Sequence, residues 1–491
     1  MRWLHKVLGT VCAPLFLLWL ISGGVMIFCS FPRLGDKDLP LQDTLAASAA
    51  LPSEATLQAK LQPGEELTAL ALTTHCGEPV WRVETSEGGY LWHADSLLTT
   101  ATDSVPEAWY EQYASRFSSA PIVAVDTIRH IDTWTPYPRI KKDLPLYRYR
   151  FDDPEGTYLY LSSQTGDAVQ LCTRSERIGA SCGTIPHMFY YWWLRQNRTV
   201  WLWVISTFAS LAVIAAFTGL YLGIRLYLRM WRRTKRLRSP YRRQKTLHWH
   251  LVGGVIFGLS LTLFALSGVM SLYDLPSWIV PQHETETKRK EAQQEEAPQL
   301  GRSDMYDYRL LLDLGGVQQI TWRSYGGHPY YEVQRHGQLE SWDALGEAPQ
   351  PLHLTEEDIK AKLTPVLETA DMQIELMDHY DNYYASLNDK YELPIYRISA
   401  QDKESSRLYI SPTTGETRYY SLNGRVKKWL YPFCHNLRIG FFAEHPTLRI
   451  ICMLVLVLGG LVVSVSGVVL GFRYLSRVIR RAKSRRSKNK R

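Results

Sequence analysis

Four histidines occupy matched places in two halves of this 491-residue chain. His5 precedes Ser22-Gly23 by 17 residues, and His250 precedes Ser267-Gly268 by the same interval (267 − 250 = 17). His187 stands 31 residues before Thr218-Gly219, and His435 stands 31 before Ser466-Gly467. A lone imidazole at the edge of an apolar run reads as an interfacial residue. Four at repeat-equivalent places read as a set, because ionisable groups in or beside a membrane tend to be functional and imidazole is a common axial ligand of haem. Pairing His5 with His250 and His187 with His435 gives one b-type haem per membrane face, two in all. His248 and His445 have no histidine in the other half, since Trp3 and Asn197 stand there, and they are reserve ligands.

A second constellation is also written twice. His130, Asp132, Trp134, then LPLYR (Leu144 to Arg148) and LYLSSQTGD (Leu159 to Asp167), recurs 249 positions later as His379, Asp381, Tyr383, LPIYR and LYISPTTGE. Imidazole, carboxylate and phenol are types that bind a ferric ion or orient its chelate, so His130, Asp132, His379, Asp381 and Tyr383, with Tyr384 beside it, form a candidate metal set. The competing reading is a hydrogen-bonded turn that supports a sheet. No H-E-x-x-H, G-x-S-x-G or Walker loop supplies a hydrolytic or phosphate chemistry, and no catalytic acid, base or nucleophile is assigned.

The elements that must position these residues are four apolar segments, at about Val7 to Phe28, Val200 to Ile224, Leu251 to Leu272 and Leu448 to Leu470. Each approaches the roughly 20 residues that cross a bilayer core. The first lacks an A-x-A-like cleavage site and reads as an uncleaved anchor. Ten Lys/Arg and no acid lie between Arg225 and Lys245, ten more and no acid lie between Arg473 and Arg491, and Arg2 and Lys6 flank the first span. Removing those 22 from the total of 56 leaves 34 cations against 48 acids, a balance of 34 − 48 = −14. Basic segments stay on the cytoplasmic side, so both termini are expected there and two long acidic segments outside. Beside spans, such basic runs meet anionic lipid headgroups rather than nucleic acid.

Each outer segment shows strands with turn signals. Arg82 to Asp95 reads as a hairpin around Glu87-Gly88-Gly89, and Thr321 to Gly337 reads as another around Gly326-Gly327. Helical patterns follow at Glu107 to Phe117 and at Thr355 to Ala370, the latter opened by a capping sequence. Glu284 to Gln299 reads as a helix or a tether. Cys172 and Cys182 are disulfide candidates, and Cys76 and Cys434 also lie on the outer side. Cys434-His435 is not C-x-x-C-H, which argues against covalent haem attachment. Gly253, Gly254 and Gly258 suit either a flat macrocycle or a neighbouring helix. Tyr190, Tyr191, Trp192 and Trp193 suit an interfacial belt better than a porphyrin wall, and Met26 and Met270 suit packing.

The hairpin ending P-T-T-G-E, the following R-V-K-K-W-L-Y-P-F-C-H, the preceding H-Y-D-N-Y-Y and the final S-G-V-V-L-G-F-R-Y together resemble the PepSY-associated transmembrane family. The resemblance covers essentially the whole chain. It implies a bacterial inner-membrane protein: membrane α-helical, four transmembrane helices in two pseudo-symmetric halves, with two periplasmic α+β PepSY-like domains. The expected order is residues 1–30 (N-terminus and first span), 31–186 (first outer domain), 187–225 (juxtamembrane segment and second span), 226–247 (basic loop), 248–273 (third span), 274–434 (second outer domain), 435–472 (juxtamembrane segment and fourth span) and 473–491 (basic tail). Some members of the family are haem-containing ferric-siderophore reductases.

The resulting expectation is a two-haem electron conduit that reduces a ferric siderophore or other ferric chelate. The basic loop and tail are too short to fold a nicotinamide or flavin domain, and no G-x-G-x-x-G follows a strand, so the donor would be a separate reductase or a membrane quinol. A homodimer is compatible with the chain. The rival reading is a membrane-anchored binding or regulatory module without redox activity. A transporter ranks last, because no Pro-broken helix or buried acid marks a midplane site.

Overall fold

The computed structural model describes residues 1–35, 38–40, 44–45, 66–75, 78–86, 89–93, 107–283, 285–385 and 391–488. Cys76, the Glu87-Gly88 turn, Asp95 and Glu284 lie outside the described residues. Membrane-type helices carry soluble α+β regions at one end.

Three helices are long and apolar enough to cross a membrane: α1 (Arg2–Met26), α2 (Arg198–Thr234) and α5 (Pro446–Lys488). The remaining apolar run departs from the single straight span expected. It forms α3 (Lys245–Ile256) and α4 (Gly258–Leu272), bent by 64° at Phe257. Glycine provides the break in place of proline. At Gly258 a Cβ would meet Leu220 at 3.0 Å, and the Phe257 ring occupies the space over Gly459, where a Cβ would approach it to 2.4 Å. The absence of proline therefore did not imply an unbroken helix.

The five helices form one bundle, in which α1 packs on α2 and α5, α2 on α4, and α5 on α3. Leu20 of α1, Leu261 of α4 and Val457 of α5 meet at its centre. Gly460 lets the first two leucines approach, since a Cβ there would lie 3.0 Å from Leu20 and 3.1 Å from Leu261. Close approach through small residues is the ordinary packing of helices in lipid, where no water is available to drive apolar burial.

The soluble part contains three sheets. The first segment contributes β1 (Leu67–His75), β2 (Glu78–Thr85) and β3 (Gly89–His93), then β4 (Ile122–Ile128), β5 (Leu146–Phe151), β6 (Tyr158–Ser162) and β7 (Ala168–Cys172). The second contributes β8 (Val317–Tyr325), β9 (His328–Arg335), β10 (Gln338–Asp343) and β11 (Gln350–Pro351), then β12 (Met372–Met377), β13 (Ile395–Ala400), β14 (Arg407–Ile410) and β15 (Thr417–Tyr420). Strands β4 to β7 and β12 to β15 form two separate four-stranded meanders. The other seven strands form one sheet, in the order β11-β10-β9-β8-β1-β2-β3. Two outer α+β domains were expected, and strands of both segments share this sheet.

The joint is the antiparallel pairing of β1 with β8, with Leu70 opposite Trp322, Ala71 opposite Thr321 and Leu72 opposite Ile320. The hairpins β1-β2 and β8-β9 match at an offset of 250 (321 − 71), and their bulges at Leu67/Ala69 and Val317/Gln319 obey the same offset. Buried aromatics seal the joint: Trp81 lies 5.2 Å from Trp322 and 5.5 Å from Tyr308, ring centre to ring centre. Both expected hairpins are present. Helices Glu107–Ala114 and Glu356–Leu367 lie where predicted, and Thr355 and Asp358 close a reciprocal capping box at the start of the second. The helix Thr285–Gln293 occupies the stretch read as a helix or tether. Cys172 and Cys182 are both free thiols, so the disulfide is not formed.

Candidate cofactor site: two histidine pairs

His5 lies in the first turns of α1 and His250 in α3; His187 lies in the short helix Thr184–Met188 and His435 in Cys434–Asn436. The two short helices end alike. Phe189 and Leu437, each two residues past its histidine, adopt left-handed backbone with φ 53° and 57°. Bulky residues rarely sit there, so the chain is held in that turn by its surroundings. A five-residue π-helical turn, Trp429–Phe433, leads into His435, and such turns concentrate at functional sites.

The bundle brings the histidines together in two pairs. The His5 and His250 ring centres lie 6.3 Å apart, and those of His187 and His435 lie 6.0 Å apart. A metal–imidazole bond of about 2 Å on each side, plus roughly 1.1 Å from ring nitrogen to ring centre, sums to about 6.2 Å. Both separations lie within about 0.2 Å of that sum, so the residues present fit one metal ion between two imidazoles, as in a bis-histidine haem. Among the described residues no cluster of three or more His, Cys, Asp and Glu could hold a metal, but a haem iron needs only two protein ligands.

All four rings are held by the same device. His5 Nδ1 lies 3.1 Å from the Ala215 carbonyl and 3.5 Å from Thr218 Oγ1. His250 Nδ1 lies 3.1 Å from both the Val463 carbonyl and Ser466 Oγ. His187 Nδ1 lies 3.2 Å from the Trp19 carbonyl and 3.1 Å from Ser22 Oγ. His435 Nδ1 lies 3.0 Å from Ser267 Oγ and bonds the Phe264 backbone. In each case the carbonyl belongs to the residue three before the hydroxyl. A carbonyl can only accept, so Nδ1 carries the proton and Nε2 presents its lone pair, the tautomer a metal requires.

The glycine after each hydroxyl clears space for the ring. A Cβ at Gly219 would come within 2.6 Å of His5 Cε1, at Gly23 within 3.2 Å of His187, at Gly467 within 3.3 Å of His250, and at Gly268 within 4.0 Å of His435. The hydroxyl-glycine pairs, read from sequence only as landmarks, thus orient the imidazoles. Their regular spacing from the histidines was the available signal. Trp19 adds an anchor by donating its indole N–H to the His187 carbonyl at 3.0 Å.

Other candidates take different positions. His445 turns back on its own helix, Nδ1 being 2.9 Å from the Phe441 carbonyl, and His248 packs against Trp249. Gly253 faces Val463 and Gly258 faces Leu220, both in helix packing, whereas nothing lies near Gly254. Trp192 and Trp193 are exposed, and Tyr190 packs on Phe31 and Trp201. Met26 lies against Gly183.

The hairpin constellation is built as a pair of turns. Asp132 Oδ1 accepts from the Trp134 and Thr135 amides and the Thr135 hydroxyl, while Oδ2 accepts from the Tyr160 hydroxyl at 2.8 Å. Asp381 repeats this with the Tyr383 and Tyr384 amides and the Tyr409 hydroxyl. Both carboxylates are engaged by donors that fix the backbone. His130 is exposed, His379 contacts the neighbouring Asp378, and the Tyr383 hydroxyl accepts from Trp429 at 3.2 Å.

No curated protein matches the chain. A family model described as PepSY-associated TM region matches residues 2–470. Apolar helices, the duplicated histidine frame and that match together make this chain a member of the PepSY-associated TM region family.

Proposed function

We propose that this protein is a two-haem electron conduit of a bacterial inner membrane that reduces ferric chelates, such as ferric siderophores, on the outer side. The observation that carries the reading is the meeting of four repeat-equivalent histidines as two pairs, at 6.3 and 6.0 Å, with every Nδ1 already bonded. In this reading α3 and α4 are one bent span, giving four spans, and the halves are related by a pseudo-two-fold axis passing between Ala71 and Thr321. The basic ends of α2 and α5 face the cytoplasm with both termini, and the sheets lie in the periplasm.

Haem b, when bound, supplies a reversible one-electron couple at its iron. The chain's residues supply placement and tuning. Each Nδ1 bond fixes ring orientation and raises the basicity of Nε2 in pairs that are half-buried between the helices. Along α1, His5 and Ser22 are 17 residues apart, about 25 Å at the usual helical rise of roughly 1.5 Å per residue. One pair thus serves each membrane face. The electron donor is a separate cytoplasmic reductase or a quinol. A quinol gives up two electrons and two protons, enough to reduce two Fe(III) to two Fe(II). Hard oxygen chelators hold Fe(II) far less tightly, so iron is released without breaking the chelator.

The test is absorption spectroscopy of purified protein from haem-sufficient cells, air-oxidised and then dithionite-reduced, with a pyridine haemochrome assay. A b-type spectrum at about two haems per chain, halved by His5→Ala or His187→Ala, is the expected result. Folded protein that stays colourless after haem supplementation would sink the conduit and favour the membrane-anchored binding module.

A further inference from the structure

One cavity stands next to the His187/His435 pair and belongs to the second half alone. It is open, about 270 Å³, and lined by Tyr391, Tyr420, Lys427, Lys428, Tyr431 and Arg438. Tyr431 is the wall shared with the histidine pair, its ring centre 5.5 Å from that of His435. The volume lies below the roughly 300–1,000 Å³ that encloses a drug-sized ligand, so it takes one arm of a larger molecule.

The charge in this cavity is only partly compensated among the described residues. Lys427 pairs with Asp274 at 2.7 Å, but among the described residues no ion pair neutralises Lys428 or Arg438. Among the described residues Lys428 bonds the Tyr383 carbonyl at 3.4 Å and Arg438 the Tyr391 hydroxyl at 3.4 Å, while Arg438 Nε is buried without a hydrogen-bond partner there. Burial pushes the Lys428 ammonium down to about 8, with Arg438 adding to the effect and Asp381 opposing it. Unpaired cations held partly out of water cost free energy unless an anion arrives.

The repeat shows that this is not needed to build the fold. An offset of 248 relates His435 to His187 and the helix cap Ser421 to the cap Thr173 (421 − 173 = 248). It sets Lys427, Lys428, Tyr431 and Arg438 opposite Gly179, Ala180, Gly183 and Tyr190. In the first half that space is closed, since a Cβ at Gly179 would lie 3.0 Å from Cys29 and one at Gly183 3.2 Å from Met26. In the second half an open pocket with cations and phenols takes that place.

We propose that this cavity docks an arm of an anionic ferric chelate, with its negatively charged oxygen donors on Lys428 and Arg438 and an aryl ring among Tyr391, Tyr420 and Tyr431. The proposal rests on the ferric-chelate reading above and narrows its substrate class to acidic ferric chelates that carry an aryl-oxygen donor arm, for which a ferric triscatecholate serves as a binding probe. It places the chelate one side chain from His435. Aromatic walls add selectivity for a flat arm over an aliphatic one.

The test measures affinity of the full-length oxidised protein in detergent, by fluorescence quenching, for two probes: a ferric triscatecholate and a ferric trihydroxamate bearing a free ammonium. Lys428→Met combined with Arg438→Gln should weaken triscatecholate binding by about tenfold or more, as loss of charge-assisted bonds does, and change trihydroxamate binding by less than about twofold. Lys428→Arg should retain most of the affinity, which guards against misfolding as the cause. Unchanged triscatecholate affinity, or equal loss for both probes, overturns the proposal. So does a fall in haem content with chelate affinity intact, because the cations would then serve haem carboxylates. No electron donor is used, and the His187→Ala protein is measured alongside, so a failed conduit and a failed docking site give different results.

Discussion

Gly219 lies so close to His5 that an added Cβ would come within 2.6 Å of the imidazole Cε1, the tightest of the four glycine–histidine contacts. The matching contact of Gly268 with His435 is 4.0 Å, ordinary van der Waals distance. Gly219→Ala should therefore displace His5 and lower haem content from about two to about one per chain, whereas Gly268→Ala should leave it near two. Haemochrome assay of both variants decides, and equal content in the two would remove the role assigned to glycine.

Ser22 and Ser466 each give a histidine its second Nδ1 partner, at 3.1 Å in both cases. Their replacement by alanine leaves the carbonyl bond in place, so the ring stays but is less firmly oriented. Haem affinity at the affected site should fall by about 10–100-fold, the usual cost of losing an outer-shell partner. Haem transfer to excess apomyoglobin measures this directly. Retention identical to the parent protein would mean that the carbonyls alone set the rings.

Triscatecholate binding should depend on pH through Lys428, whose ammonium sits at about 8 beside Arg438, Asp381 and Arg418. A lowered ammonium pKa means that the cation is present below that value and lost as pH rises through it. Affinity should therefore decline above about pH 8, and the decline should vanish in Lys428→Met. A profile flat in the parent protein, or a decline that survives the substitution, counts against Lys428 as the contact.

Asp132 and Asp381 hold turns, each through two backbone amides and a tyrosine hydroxyl. Alanine at either position leaves those donors unpaired, and the local sheet should lose about 2–4 kcal/mol of stability. Amide hydrogen exchange should quicken across β5 and β6 for Asp132→Ala and across β13 and β14 for Asp381→Ala, with ferric-ion uptake unchanged. Loss of iron binding without faster exchange would restore the metal reading of these residues.

The histidine frame was legible because duplication fixes spacing, and equal spacing survives any detail of packing. The hairpins and the capped helix Glu356–Leu367 were legible because their signals are local. Three features were not. The β1–β8 pairing joins residues 250 positions apart, and local alternation of side chains says nothing about which strand edge meets which. The bend at Phe257 depends on Leu220 and the Phe257 ring fitting against glycines in apolar runs that otherwise read as continuous spans. The cavity cations are drawn from residues 427 to 438, and that Lys427 has an acidic partner while Lys428 and Arg438 have none among the described residues becomes visible only once the chain is folded.

Each histidine pair takes one imidazole from residues 1–234 and one from residues 245–488, and β1 meets β8 across the same divide. Neither half therefore holds a complete histidine pair or the whole of the shared sheet. Either half alone would have to meet a second copy before two imidazoles could face each other at this distance. Covalent linkage makes that meeting intramolecular, so both pairs form at an effective concentration set by the chain itself.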